Sequence, residues 1–168
     1  PPVAVGLVLL LSACPAPDEG EPGAPLPDLD ADLVIEPLSS SDGPLGTYFS
    51  KHVTVFGVDI VATETTPDDK VLHAAHVMAK YLDNDEDGQV DQPDVVEQML
   101  AVQALLVMFA TQEEIEDSGI FEDTALEGYW GQDLYGEETD PSGGRFDAAL
   151  EEVLHLISTA GYGQVWPD

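Results

Sequence analysis

The chain has 168 residues, which suits one domain with an additional segment, because domains commonly run about 100–150 residues. Hydrophobic residues make up 43% of it, enough to build a core, so disorder of the whole chain is excluded. Thirty-four Asp and Glu against four Lys and Arg give a formal net charge of −30. Without clusters of basic residues, electrostatic binding to nucleic acid or to anionic lipid headgroups is excluded.

An apolar run near the start of the chain leads to its one cysteine. Val3–Leu11 is uncharged and has the length of a signal-peptide h-region, too short for a spanning helix of about 20 residues. The sequence Leu-Ser-Ala-Cys that ends at Cys14 resembles a bacterial lipobox. The resemblance implies cleavage before Cys14 and acylation of its thiol and new amino group, which is sufficient for stable anchoring. A short buried helix with a stray cysteine is the alternative.

We therefore interpret 1–13 as a lipoprotein signal peptide. Its basic n-region and initiator Met are missing, so we expect the sequence to begin late. The lipobox predicts a lipid-anchored protein of the bacterial cell envelope that faces the periplasm or the exterior. Its partners would be the membrane, through the lipid, and an unidentified envelope protein.

Residues 14–46 are predicted to form a disordered tether behind the lipidated cysteine. The segment is rich in Pro and acidic residues, and it contains no Lys or Arg. Prolines prevent regular hydrogen-bonded structure, and like charges keep a chain extended. Only Leu33–Ile35 is predicted as a short strand. Because Cys14 is the one cysteine, the folded domain cannot form an internal disulfide and must depend on its core, or on a metal.

Folded sequence is predicted for 47–168. Lys51–Thr63 is rich in β-branched residues and predicts strand, with a bulge or tight reversal at Gly57. Thr66 is predicted to cap an amphipathic helix that ends at Leu82. A second helix is expected from about Asp94 toward Ala104.

The second half of the domain mixes strand and helix signals. Leu105–Ala110 predicts a buried strand, with an extension of the preceding helix as the alternative. A short helix is expected from a capping residue at Thr111 to Gly119. Phe121–Gly144 is interpreted as a Gly-rich acidic loop. A last amphipathic helix begins near Phe146 and is predicted to stop at Gly161. Since there is no regular βαβ repeat, the predicted class is α+β, with a helix–loop–helix unit, short strands and a C-terminal amphipathic helix.

The segment between the first two predicted helices, 83–94, reads Asp-Asn-Asp-Glu-Asp-Gly-Gln-Val-Asp-Gln-Pro-Asp. This order of residues resembles an EF-hand calcium loop. Ca²⁺ prefers six to eight oxygen ligands, and six carboxylates within twelve residues repel one another unless a cation compensates them. Gly88 stands at position 6, where the loop turns sharply, and Val90 stands at the apolar position 8. The resemblance assigns calcium ligands to positions 1, 3, 5, 7, 9 and 12, which here are Asp83, Asp85, Asp87, Gln89 through its backbone carbonyl, Asp91 and Asp94.

This loop departs from the family at two positions. Asp94 occupies position 12, where the family usually has Glu, so bidentate binding is harder and affinity for Ca²⁺ should fall. Pro93 is the other departure. EF-hands usually pair, and a single loop favours a structural calcium site over a calmodulin-like switch.

A weaker motif lies in the last predicted helix. Glu151-Glu152-Val-Leu-His155 has the frame of the zinc-protease motif His-Glu-x-x-His, with Glu in place of the first His. Residues at i and i+4 share a helix face, so Glu151 and His155 could bind one Zn²⁺ while Glu152 holds the general-base position. The order of elements also resembles a zincin-type domain. Against this, the thirteen residues after His155 include no His, Cys or Glu.

The sequence therefore leaves two alternative functions, which belong to different classes. The favoured one is a membrane-tethered, calcium-binding structural or interaction module without enzymatic activity. The alternative is a zincin-like metallopeptidase domain, active or degenerate, in which Zn²⁺ is bound through the Glu151–His155 motif. We prefer to interpret that motif as an ordinary acidic helix face with one His.

Overall fold

The computed structural model of the protein describes residues 33–167. The predicted signal peptide, the lipobox with Cys14 and the first part of the predicted tether lie outside these residues. The strands are β1 Glu36–Pro37, β2 Lys51–Val55, β3 Val58–Ala62, β4 Ala104–Phe109 and β5 Trp130–Tyr135. The α-helices are α1 Asp68–Leu82, α2 Pro93–Ala101, α3 Gln112–Ser118, α4 Ala148–Leu156 and α5 Gly163–Val165, with a π-helical turn at Ile157–Tyr162 between the last two.

The strands form one mixed sheet in the order β1-β2-β3-β4-β5. The first three strands are antiparallel, whereas β4 runs parallel to both β3 and β5. The β2–β3 hairpin reverses at Phe56 and Gly57, both with positive φ (49° and 89°), which matches the reversal predicted at Gly57. The predicted α+β class is confirmed.

The main core lies between one face of the sheet and helices α1, α2 and α4; we call it the helix-side core. It is formed by buried aliphatic residues from all these elements, including Val53, Ile60, Met78, Met99, Leu106, Leu134, Val153 and Leu156. Helix α1, the 83–94 loop and α2 together make the crossover between the parallel strands β3 and β4. The predicted calcium loop is therefore part of the connection on which the sheet topology depends.

A smaller core, the outer core, covers the other face of the sheet. Its buried members are Phe49, Val61, Leu105, Phe109, Ile115 and Ile120. Among the described residues, no long helix covers this face; α3 and short 3₁₀ turns such as Pro44–Thr47 and Thr124–Leu126 do so instead.

The predicted tether extends too far along the chain. Leu33 and Ile35 pack against the helix-side core, while Leu38 and Leu45 pack against the outer core. A short strand pairs with β2, with Glu36 opposite His52, next to the Leu33–Ile35 segment predicted as strand. Four apolar residues of this acidic segment thus pack on the two faces of the sheet, so the folded part includes 33–46.

Two local predictions in the first half are wrong in detail. Thr66 does not cap α1: its side chain is buried, and its Oγ1 lies 3.0 Å from Thr63 Oγ1 and 3.3 Å from the Met108 carbonyl, while Pro67 takes the N-cap position. Helix α2 ends at Ala101 rather than near Ala104. Gln103 has positive φ (52°) and turns the chain into β4.

The C-terminal half of the domain differs more from the sequence predictions than the first half does. The predicted loop at 121–144 contains β5, a strand at the edge of the sheet of which only Leu134 is buried. Gly161 does not stop the last helix, because the π-helical turn runs through it. A Cβ at Gly161 would lie 2.6 Å from Val95 Cγ1, so this glycine allows close approach to α2. Within residues 33–167, no helix is long and apolar enough to cross a membrane.

Candidate metal centre

The loop at 83–94 is organised around Asp83, the first residue after α1. The side chain of Asp83 is fully buried. Its Oδ1 accepts a hydrogen bond from the Asp87 backbone N–H (3.1 Å), and its Oδ2 accepts one from the Gly88 N–H (2.8 Å). These two bonds wrap the chain tightly around one carboxylate, and Gly88, with φ of 83°, supplies the turn expected at position 6.

The far end of the loop returns to the same place. The Asp91 backbone N–H donates to the Leu82 carbonyl (2.8 Å), and Asp91 Oδ2 accepts from the Asn84 N–H (3.0 Å). Val90 packs against the helix-side core, as the apolar position of the loop requires. The loop is thus closed on itself and fixed to the domain between two helices.

Three carboxylates converge inside this loop. One oxygen from each of Asp83, Asp85 and Asp91 lies within 4.8 Å of the others. Oxygens on opposite sides of a Ca²⁺ ion bound at about 2.3–2.6 Å lie about 4.6–5.2 Å apart, so one ion fits among them. The negative charge of Asp87 above all, with smaller contributions from Asp91 and Asp83, raises the pKa of Asp85 above its ordinary value. A bound cation would relieve this repulsion.

Two of the predicted carboxylate ligands, Asp87 and Asp94, lie outside the converging group. Asp87 Oδ1 accepts from the Gln89 backbone N–H (2.8 Å), and Asp87 Oδ2 accepts from the Gln89 side-chain amide (3.3 Å). Asp94 is exposed in the first turn of α2. Glu86 forms an ion pair with Lys80 (3.4 Å) and is not among the three. The structure therefore brings three of the five predicted carboxylate ligands together.

A second acidic group lies on α4. Glu151, Glu152 and His155 each place one ligand atom within 4.8 Å of the others, so the predicted zinc motif does share one face. His155 Nε2 is 4.0 Å from Glu151 Oε1, and its Nδ1 is 3.2 Å from Glu152 Oε2. The Gln132 side-chain amide on β5 also donates to Glu152 Oε2 (2.7 Å). Two neighbours thus contact Oε2, one of the two carboxylate oxygens of Glu152.

One polar contact between distant segments was not predicted from the sequence. His73 on α1 and Asp147, the N-cap residue of α4, are joined by a hydrogen bond of 2.6 Å. An Asp ahead of an apolar helical run is a recognisable cap signal, so Asp147 could be identified as an N-cap from the sequence. No sequence signal connects Asp147 to His73, which lies 74 positions earlier.

Comparison with known proteins finds no relative. No family model, no curated protein and no solved structure matches the chain. Function must therefore be inferred from the two acidic groups and from the sequence motifs.

Proposed function

We propose that the 83–94 loop binds one Ca²⁺ ion and that this ion stabilises an extracytoplasmic, lipid-anchored domain. The observation that carries the proposal is the convergence of one oxygen from each of Asp83, Asp85 and Asp91 to within 4.8 Å of the others. Ca²⁺ is a hard cation that prefers carboxylate and carbonyl oxygens, which is the chemistry this loop offers. The order of residues from Asp83 to Asp94 supports the same ion independently of the geometry.

The expected affinity is low. Asp94 is shorter than the Glu usual at position 12 and lies outside the converging group. Fewer carboxylates around the ion weaken binding, so the dissociation constant should lie toward the weak end of the family, about 10⁻⁴–10⁻³ M as in extracellular modules. Such a site is useful outside the cytoplasm, where calcium is plentiful, which agrees with the anchor predicted at Cys14.

A structural role follows from the position of the loop in the fold. The loop joins α1 to α2 within the crossover between β3 and β4. An ion that binds only the folded form adds RT ln(1 + [Ca]/Kd) to the free energy of unfolding, about 2.7 kcal/mol at one hundred times Kd. The ion would hold the two helices at the angle that the crossover requires.

Calorimetric titration of the metal-free protein tests the proposal. We expect one Ca²⁺ per chain, loss of binding in Asp85→Asn, and unchanged binding in Glu86→Gln. Asp85 is the better position for substitution, because Asp83 also accepts two backbone hydrogen bonds and its loss would disturb the loop itself. Both variants remove one charge from neighbouring residues, so equal binding by the two would contradict the proposal.

A zincin-like metal site on α4 is the second candidate. What favours it is the 4.0 Å distance between His155 Nε2 and Glu151 Oε1. Two ligands of a tetrahedral Zn²⁺ at about 2.0–2.1 Å lie roughly 3.4 Å apart, so a small side-chain movement would let both bind. The hydrogen bonds that Glu152 makes to Gln132 and His155 speak against its role as a base.

Metal analysis of the purified protein separates the two candidates. Calcium without zinc supports the first, whereas one zinc per chain that is lost in His155→Ala supports the second. We expect Glu152→Gln to leave any peptidase activity unchanged. A large loss of such activity in a folded Glu152→Gln protein would favour the enzyme.

A further inference from the structure

The outer core of the sheet contains a cavity that its short covering segments do not fill. The cavity has a volume of about 220 Å³ and opens to solvent on one side. Leu105 and Val107 of β4 form its floor, and Leu45, Ile120 and Leu126 from the covering 3₁₀ turns form its walls. An engineered apolar cavity of about 150 Å³ binds benzene, so this space is large enough for one ring with a short chain.

A glycine in the neighbouring strand keeps the cavity open. Gly131 lies inside β5, opposite Leu105 of β4, and also lines the cavity. A Cβ built at this position would meet no atom within 4 Å. Glycine inside a strand weakens it and often marks a place where a ligand approaches the backbone. A larger side chain would fit here and fill the space.

A carboxylate and an exposed aromatic ring line the cavity. Asp133 lines the cavity, and its Oδ2 accepts a hydrogen bond from the Tyr135 hydroxyl (2.5 Å). A carboxylate accepts several hydrogen bonds, so Asp133 retains capacity for a second donor. Phe121 also lines the cavity while 73% of its surface is exposed, so an apolar ring stands at the opening.

Charge decides which class of small molecule would bind. The cavity has a carboxylate at its edge, and the whole chain carries a formal charge of −30. Both features repel a fatty acid or another organic anion and attract a cation. Ligand sites are typically apolar with a few polar groups that fix orientation, and this cavity fits that description.

We propose that this cavity binds a small organic amine, with its hydrocarbon body among Leu105, Val107 and Leu126 and its ammonium group at Asp133. The site lies on the face of the sheet opposite α1, α2 and α4, and it does not depend on the calcium loop. Success or failure of the calcium proposal therefore leaves it unaffected.

Three ligands of similar size and different charge test the proposal. Phenethylamine, ethylbenzene and phenylacetate are titrated into the full chain by calorimetry, with saturation-transfer NMR to detect weak contacts. We expect phenethylamine to saturate with a Kd below about 1 mM, ethylbenzene to bind at least tenfold more weakly, and phenylacetate not to bind. Absence of phenethylamine binding, or equal binding of phenylacetate, would overturn the proposal.

Variants distinguish the cavity from general attraction of an amine to an acidic surface. Gly131→Leu fills the cavity without changing the charge, so we expect it to abolish phenethylamine binding and to raise the melting temperature. Asp133→Asn keeps the shape, and should weaken phenethylamine about tenfold while leaving ethylbenzene unchanged. Leu100→Ser, which removes an exposed leucine away from the cavity, is the control and should bind like the natural protein. Retained binding in folded Gly131→Leu would place the ligand elsewhere and overturn the proposal.

Discussion

His73 Nε2 lies 2.6 Å from Asp147 Oδ2, and this contact connects the middle of α1 to the first turn of α4. The same carboxylate caps α4, since Asp147 Oδ1 accepts hydrogen bonds from the Ala149 N–H (3.2 Å) and the Asp140 N–H (3.1 Å). One buried side chain therefore holds the helix start, the preceding loop and α1 together.

Replacing Asp147 should destabilise the domain considerably. Asp147→Ala leaves buried backbone donors without an acceptor and removes the partner of His73, so we expect a loss of about 1–3 kcal/mol in the free energy of unfolding. Urea denaturation followed by circular dichroism measures it. Asp117→Ala, at an exposed acid of α3, is the matched control and should change stability little. Equal stability of the two variants would contradict this account of Asp147.

Gly161 provides a test of the packing between the π-helical turn and α2. A Cβ there would lie 2.6 Å from Val95 Cγ1 and 3.2 Å from Met99 Cγ. Gly161→Ala should therefore cost about 1–3 kcal/mol, because a closely packed core must shift to accept one methyl group. Gly131→Ala, where the new Cβ meets nothing within 4 Å, should be neutral or stabilising. If Gly161→Ala unfolds at the same denaturant concentration as the natural protein, the predicted close approach is wrong.

Acid should weaken the loop that precedes α4 only at very low pH. The Ser142 hydroxyl donates to Asp140 Oδ1, and this bond, with the backbone N–H groups of Ser142 and Arg145, lowers the pKa of Asp140 to about 2. A carboxyl whose pKa is lower in the folded state stabilises the fold above its ordinary value near 3.8, and that contribution is lost as pH falls from there to about 2.

The hydroxyl of Ser142 can be removed to check this. Ser142→Ala should melt below the natural protein at about pH 5, and the difference should shrink as pH falls through about 2, below which Asp140 is protonated in both proteins. The measurement is the melting temperature of both proteins at several pH values between about 5 and about 2. A difference that stays constant with pH would show that Ser142 stabilises the loop without involving the charge of Asp140.

The lipobox that the sequence predicts at Leu11–Cys14 can be tested in the cell. Cys14→Ser should move the protein from the membrane fraction to the soluble fraction, because the acylated thiol and amino group are then absent. Fractionation of bacteria that express the complete reading frame, followed by immunoblotting, detects the change. Ser12→Ala keeps a small residue ahead of the cysteine and should remain membrane-bound. Cys14→Ser protein that stays with the membrane would refute the lipobox.

Features specified by nearby residues could be predicted from the sequence. The reversal at Gly57, the apolar strand β4 and the short helix capped by Thr111 depend on residues within a few positions, and each was found. Strand β5 was missed because it is fixed by pairing with β4, and its own residues bury only Leu134. Packing that connects distant segments, such as the contact of Gly161 with Val95, leaves no local signal.

The metal site, too, could be predicted only in its local features. The spacing of acidic residues identifies the loop, because ligand types recur at fixed positions. Which carboxylates converge depends on the path of the folded loop: Asp83, Asp85 and Asp91 meet, whereas Asp87 bonds to Gln89 outside that group. The order of residues alone does not specify this path.

Calcium-dependent melting of the natural protein, Asp85→Asn and Glu86→Gln tests the central claim most directly. At about ten times Kd, Ca²⁺ should add about 1.4 kcal/mol to the stability of the natural protein relative to a chelator control, which raises its melting temperature by about 3–6 °C. Glu86→Gln should gain as much, and Asp85→Asn should gain little. Screening of the −30 charge by divalent ions acts on all three proteins alike. A melting temperature that does not respond to millimolar calcium, or a response that Asp85→Asn shares in full, would contradict the claim.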